Sequence, residues 1–539
     1  MLSPLAICLL ALQAPGQIPS QSTVQEVRPE GVFLVSSSGT QSPPGTAAPV
    51  VSPRWQQDDG GLAWIAANVA MGDSGASIVV GKELNNESVA CFGTGSATPL
   101  FDATTLDANN VRVAMASRAP MAAALATYDI GGGVWQSTLQ TFASFGDGVP
   151  LATINLPTTG NVIAGMVAVS EHGDRVVAAV SNASGQQHIR VFAPDGTPLA
   201  SYDVTASANI RFGTIDANAL RLYLGLYNGT CEIYDLSTGA LQHSQSLSGT
   251  FDSHAFSADG TTFAYGNFSG LFVVRETLPG VWTQIASRFH AGSQFLGHCA
   301  LSADGNTAAF EVQRYSPAYD HVEIGMFDVT TSTDLFSVSL DAPGSAFQLS
   351  ASSCDISADG ETAAFGTWGD EFSVTPTLQA YDRTGTQTMV YTTPGSVYSV
   401  AIDVDGDVIA AGSKAVHANT FGNGGTAWCL DAAEQTLHIL GDAQLGGTLE
   451  MTSPSGATQI WLAMAPALGQ SPTAFGISEL SLGGAAQVFG PFAVGAGGAL
   501  ETLPMPSNPS LNGTAVHFQG LRVAGVPELT NKVSIRLYN

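Results

Sequence analysis

Phe256-Ser257-Ala258-Asp259-Gly260-Thr261-Thr262-Phe263-Ala264-Tyr265-Gly266 decides the fold, because the chain repeats it twice more. Leu301-Ser302-Ala303-Asp304-Gly305-Asn306-Thr307-Ala308-Ala309-Phe310 is one copy, and Ile356-Ser357-Ala358-Asp359-Gly360-Glu361-Thr362-Ala363-Ala364-Phe365-Gly366 is the other. Each ends a strand, turns on Asp-Gly and begins a second strand of small and aromatic residues. Asp-Gly supplies the positive φ angles that a tight hairpin demands. Looser copies align without gaps at Met71–Gly75, Val169–Gly173, Ile215–Ala219 and Ile402–Gly406, and the weakest lies at Leu106–Asn110. The turn residues fall at 74, 109, 172, 218, 259, 304, 359 and 405, giving spacings of 35, 63, 46, 41, 45, 55 and 46. A period of about 45 residues is that of a four-stranded propeller blade.

The remainder of each unit completes the blade. Ile189-Arg190-Val191-Phe192 leads through Pro194-Asp195-Gly196 to a fourth strand, and Cys231-Glu232-Ile233-Tyr234 does so through Ser237-Thr238-Gly239. Asp147-Gly148-Val149-Pro150-Leu151-Ala152 echoes Asp195-Gly196-Thr197-Pro198-Leu199-Ala200, which places the irregular region 107–156 in the array as one blade. One blade cannot bury both faces alone, whereas a closed ring can. The expected fold is all-β: a propeller over 61–443 of eight blades, or seven if the 35-residue gap hides a shared blade. Residues 17–60 read as a Ser-, Pro- and Gly-rich linker with one strand at Gly31–Val35. Residues 444–539 lose the repeat and alternate apolar with polar residues in short runs, the pattern of a small β-sandwich-like domain.

Ser-Ala-Asp-Gly followed by Ala and an aromatic residue resembles the WD40-like repeat of secreted bacterial propellers, which usually reads Ser-Pro-Asp-Gly. Tyr234-Asp235 with Thr238-Gly239 is similar to quinoprotein-like propellers as well. The resemblance spans roughly 60–443 and implies the fold, with almost nothing about function. No Trp-Asp dipeptide occurs, unlike an orthodox WD40 scaffold. The region from Pro506 to Asn531 resembles the C-terminal modules of large secreted bacterial proteins, and that resemblance implies no catalytic role.

Composition narrows the function. Charged residues are 11% of the chain, so its polar surface is built mainly from Ser, Thr, Asn, Gln and Gly, which suits strands and turns. Lys and Arg number 17 against 44 Asp and Glu, a net charge of −27. Such a surface repels phosphate backbones and anionic lipid, so nucleic acid is excluded as a partner. The apolar run Leu5–Leu12, followed by Ala14 and Gly16 at the −3 and −1 positions, reads as a secretory signal over 1–16. No other run approaches the ~20 apolar residues of a membrane span, so the mature chain is expected outside the cytoplasm without a transmembrane segment. Beyond the signal, Cys91, Cys231, Cys299, Cys354 and Cys429 are odd in number and widely spaced, which is no disulfide framework.

The chemical motifs resolve mostly into architecture. Gly72-Asp73-Ser74-Gly75 spells a serine-protease motif, but the first His is His172 and the segment sits on a hairpin turn. The Ser-Ala-Asp-Gly-x-Thr segments resemble sialidase Asp-boxes but lack a residue between Asp and Gly, and the basic residues such enzymes need are scarce. The adjacent cysteines of familiar quinone-dependent dehydrogenases are missing, so no cofactor is expected. Asp403, Asp405 and Asp407 could gather around Ca²⁺, although the later ligands of such a loop are absent, and an ordinary turn is expected. His254, Cys299 and Cys354 share one repeat position, three residues before the Ser. Their parity points them into the packing between blades, so no metal site is expected. The Asn-x-Ser/Thr sequons at Asn86, Asn182, Asn228, Asn267 and Asn512 carry little weight in so Ser/Thr-rich a chain.

Functional groups tend to break a repeat, because the other blades do not need them. The richest break is Arg314-Tyr315-Ser316-Pro317-Ala318-Tyr319-Asp320-His321. Arg314, Tyr315, Tyr319 and His321 are therefore the candidate ligand-binding residues, and no residue is assigned to catalysis. The expectation is a secreted binding or scaffold propeller for a protein or glycan, with a secreted enzyme acting on a glycan as the alternative. Carboxylates, His or Arg converging at the channel mouth would favour the enzyme, and a bare mouth would favour binding.

Overall fold

A computed structural model of the chain describes residues 26–28, 31–33 and 51–537, except 59–64, 73–74, 84–87, 105–109, 158, 161–164, 183–185, 206–207, 247–252, 343, 423, 434–436, 442–443, 446–447, 454–458, 467, 474–475, 481, 483–485, 495–498, 512–513 and 524–526. The signal segment 1–16, Asp73, Ser74, Asn86 and Asn512 lie outside the described residues. Met1–Gly45 forms a unit of its own, in which Glu26–Arg28 pairs antiparallel with Gly31–Phe33.

Eight antiparallel sheets follow one another and form the blades of a propeller. Blades 1 to 7 span 65–104, 110–160, 165–205, 210–246, 254–289, 294–341 and 351–391. Blade 8 takes three strands from 397–431 and its outermost from Trp55–Asp58, which pairs with Gly425–Asp431. The inner strand of each blade packs on that of the next, and Val397–Ile402 returns to Ile65–Gly72, closing the ring. Trp55–Asp58 therefore belongs to the propeller rather than to the expected linker. Beside it Arg54 forms a buried ion pair with Asp431 at 2.6 Å, which ties the two ends of the ring together.

Burial follows strand position. Second strands such as Val176–Ser181 are buried along their whole length, because a neighbouring blade covers each face. Outer strands such as Pro198–Thr205 alternate exposed with half-buried residues. Eight apolar clusters among the described residues each draw on two consecutive blades. Cys299 lies in the seam between blades 5 and 6, Cys354 packs against the seam between blades 6 and 7, and both are free thiols. His254 stacks on Phe212 at 4.5 Å between ring centroids, in the seam between blades 4 and 5.

The repeated Ser-Ala-Asp-Gly joins the first strand of a blade to its second, and its residues have separate duties. Ser302 Oγ donates to Asp304 at 2.7 Å and accepts the Thr307 N–H at 3.0 Å. The residue after the Ser reaches the next blade. Backbone N–H to C=O bonds run from Arg118 to Glu171, then to Ala217, Ala258, Ala303, Ala358 and Val404, each 2.7 to 3.1 Å long. One turn thus grips the next around seven blades, and Asp73 and Ser74 of blade 1's turn lie outside the described residues. In blade 2 the turn occupies 116–120, not 106–109, which are outside the described residues. Its Ser117-Arg118-Ala119-Pro120 carries no Asp-Gly, the signal that marks the turns of blades 5 to 8.

The C-terminal module has two principal sheets. Thr448–Ser453 is flanked by His438–Gly441 and Ala499–Pro504, while the other sheet runs Gln487–Ala493, Gln459–Ala465, Ala515–Val523, Pro527–Arg536. Leu449 and Leu503 of the first pack on Ile460, Leu462 and Phe518 of the second, as in a sandwich. Its first strand begins before the expected boundary at 444. Asp403 is buried and accepts the N–H groups of Asp407 and Val408 at 2.7 and 2.9 Å. Asp405 and Asp407 both pair with Lys532 of the module. These carboxylates hold an ammonium group and backbone N–H donors, and are not the solvated turn expected of them.

Gly305 and Gly280 both have positive φ, 70° and 75°. A Cβ on Gly305 would meet Thr262 Cβ of the preceding blade at 2.7 Å, whereas one on Gly280 would meet nothing within 4 Å. Gly280→Ala should cost about 1 kcal/mol from backbone strain, and Gly305→Ala about 1–3 kcal/mol more from overpacking. Equal losses in chemical denaturation would show that the turns are not pressed together.

Candidate functional site

An antiparallel blade sends its connections alternately to two ends. The hairpin turns of the repeat occupy one end. At the other, called here the upper end, lie the links between second and third strands and the links between blades. Three of the longest, 342–350, 368–377 and 415–424, gather on blades 6 to 8, beside the link 315–320.

Between blades 7 and 8 they enclose a cleft of ≈ 240 Å³, lined by Phe347, Trp368, Asp370, Thr375, Thr393 and His417 among others. The His417 ring stacks on Phe347 at 4.5 Å and meets Trp368 edge-on. Its Nδ1 accepts the Asn419 N–H at 3.1 Å and its Nε2 faces the Gly369 carbonyl at 3.4 Å. A carbonyl can only accept and an N–H can only donate, so the proton sits on Nε2 and the ring is neutral. Burial also pushes its pKa down. The Asp370 carboxylate accepts the backbone N–H groups of Phe372, Val374 and Thr375, which folds the 368–377 loop around it. Glu371 accepts the Ala346 N–H at 3.0 Å, and Asn419 accepts that of Gln348 at 2.9 Å. The loops are thereby cross-tied into a rigid wall. On their tips Phe372 is 62% exposed and Phe421 fully exposed.

The sequence-predicted loop stands beside this cleft without lining it. Arg314 pairs with Asp320, and His321 Nδ1 lies 2.8 Å from Asp341. The Tyr315 hydroxyl donates to the Gly292 carbonyl at 3.2 Å, and its ring packs on Phe268 and Phe295. Burial raises the pKa of Tyr319. The carbonyls of Tyr319 and Asp320 accept the N–H groups of Leu349 and Ala342 at 2.8 and 2.9 Å. The loop thus fixes the connector that carries Phe347. Trp368 and His417 were missed by sequence reasoning. The available signal was the interval between Thr367 and Leu378, far longer than the one between Gly266 and Gly270 in blade 5.

A second polar group sits at the upper ends of the inner strands of blades 1, 2 and 8 and of the second strand of blade 1, Ser77–Glu83. Asn68 and Asn110 donate to Glu83 Oε1 at 3.0 and 2.8 Å. Burial raises the Glu83 carboxyl to about 7, against the pull of the nearby Arg112 guanidinium. Burial and the charge of Glu83 raise the Tyr398 hydroxyl to about 12, and the Tyr398 ring lies 6.1 Å from that of Trp368. The mouth is therefore not bare. Among the described residues no three His, Cys, Asp or Glu side chains group as a metal site.

Fold and site together define an eight-bladed β-propeller with a C-terminal sheet module and an upper-end cleft. The chain matches no family model and no curated protein. Among the described residues no helix is long and apolar enough to cross a membrane.

Glu83 makes stability depend on pH. Its folded pKa exceeds the ordinary 4.5, so the folded chain holds a proton that the unfolded chain loses between pH 4.5 and 7. Its contribution is thus full below pH 4.5 and declines as pH rises to about 7. Glu83→Gln removes the ionisation and keeps an acceptor for Asn68 and Asn110. The stability of Gln relative to Glu should grow by on the order of 3 kcal/mol from pH 4 to pH 8 and then level off. Parallel stability curves for the two proteins would show that Glu83 titrates normally.

Proposed function

We propose that the protein is a secreted binding protein that captures its ligand in the upper-end cleft of blades 7 and 8, braced by the loop carrying Arg314, Tyr315, Tyr319 and His321. One observation carries this reading: the titratable groups lining the cleft are engaged in holding its walls. Asp370, Glu371 and His417 each bond to loop backbone. A general base must be able to take a proton from substrate, and a nucleophile needs such a base beside it. Concave pockets with a few fixed polar groups are the usual form of a ligand site. Export is supported by the apolar run Leu5–Leu12 with Ala14 and Gly16, and kinship with secreted bacterial propellers by the Ser-Ala-Asp-Gly repeats. Native protein should begin near Gln17, and N-terminal sequencing that finds Met1 would refute export.

Glu83 supports a second reading, an enzyme acting on a glycan, because a carboxyl that titrates near neutrality can serve as an acid. Its described neighbours are Asn68, Asn110, Arg112 and Tyr398, which supply no base-activated nucleophile. Binding remains the better account. Thr392 is exposed and lines the cleft. Thr392→Trp should weaken capture of any hit from peptide and oligosaccharide panels at least tenfold, with an unchanged melting temperature. Turnover of glycan or ester substrates that disappears in Glu83→Gln would overturn the binding reading.

A further inference from the structure

Resting on the binding reading, we infer that the cleft takes a neutral saccharide, seated by ring faces and hydroxyl groups. The lining supplies the complementary chemistry. Hydroxyls come from Ser373, Thr392 and Thr420, on three separate loops, while Thr375, Thr377 and Thr393 are buried, with Thr375 bonding Asp370 and Thr377 and Thr393 bonding each other. A hydroxyl both donates and accepts, so it can match the adjacent hydroxyls of a sugar whichever way they point. Phe347 and His417 stack face to face in the wall, which leaves an outer ring face of the pair for the C–H face of a pyranose. Phe372 and Phe421 stand exposed beside the cleft-lining residues Glu371, Ser373 and Thr420, where a second sugar unit would leave the cleft. Exposed large apolar side chains concentrated at one place mark a contact surface.

Charge selects among ligands of this size. Among the described residues no Lys or Arg lines the cleft, the Lys414 ammonium is bonded to the Thr420 carbonyl, and the chain carries −27 overall, so a phosphate, a nucleotide or an acidic sugar is disfavoured. A cation is drawn by the Asp370 and Glu371 charges but finds few open carboxylate lone pairs. The Asp370 carboxylate already accepts backbone N–H groups through both oxygens, and Glu371 accepts one. His417 has both ring nitrogens engaged and is neutral, so it presents its ring face. A volume of ≈ 240 Å³ suits one sugar-sized ring, and the flat patch of a protein partner does not fit it.

Titration calorimetry of the full chain tests this with neutral gluco-, galacto- and N-acetylglucosamine oligosaccharides, beside a sialylated trisaccharide and an oligolysine peptide. At least one neutral oligosaccharide should bind. Thr392→Trp should abolish its binding, and the double variant Phe372→Ala/Phe421→Ala should weaken it at least tenfold with an unchanged melting temperature. Binding of oligolysine or the sialylated sugar alone, lost in Thr392→Trp, would overturn the neutral-saccharide inference and leave the cleft as the binding site. Saccharide binding untouched by Thr392→Trp would overturn both. Failure of every neutral oligosaccharide to bind would overturn the inference.

Discussion

The backbone bond from one inner hairpin turn to the next is the contact on which the ring depends. Apolar clusters fill the seams between blades, but apolar packing is non-directional and would tolerate sliding. The turn-to-turn bonds set a fixed step, because each N–H finds one carbonyl in the adjacent blade. The Ser, or the Asp that replaces it at 216 and 403, holds the turn by accepting an N–H at the start of the second strand. The Gly lets its own turn lie against the preceding blade, as Gly360 does against Thr307 and Gly406 against Thr362. One short motif therefore encodes both a hairpin and an interface.

That division of labour leaves the two ends of the propeller under different constraints. At the turn end every blade must present the same shape to its neighbour. There Asp405 and Asp407 of blade 8 also hold Lys532 of the C-terminal module, whose ammonium stays charged although burial disfavours it, because three carboxylates surround it. A buried cation of this kind fixes position more than it adds stability. The upper end carries no such ring, so loop length is free to vary. The long loops of blades 6 to 8 pack on one another, and their polar groups are satisfied mutually, which gives a preformed cleft.

The polar groups at that end fall into two sorts. In the cleft, Asp370 and His417 are structural, with partners on each heteroatom that matters. Near the channel, Glu83 is half-buried beside two amides and an arginine, and desolvation keeps its proton to about neutrality. Tyr398, which feels the Glu83 charge, lies 6.1 Å from the Trp368 ring of the cleft and so links the two groups.

The sequence by itself determined the all-β class, the blade period and seven of the eight inner hairpins, because a hairpin is local: Asp-Gly and the residues flanking it suffice. It also placed Cys299, Cys354 and His254 in the seams, since strand parity is local too. It misplaced the turn of blade 2, where Arg118-Ala119 stands for Asp-Gly, and the closing strand Trp55–Asp58, whose partner lies more than 350 residues away. It identified the Arg314–His321 loop as a break in the repeat, but not the cleft beside it. Phe347, Trp368 and His417 come from three separate loops and are unremarkable one by one. Only ring closure brings them together, and only burial distinguishes Glu83 from any other surface carboxylate. Long-range pairing and desolvation are properties of the folded chain, and no run of adjacent residues records them.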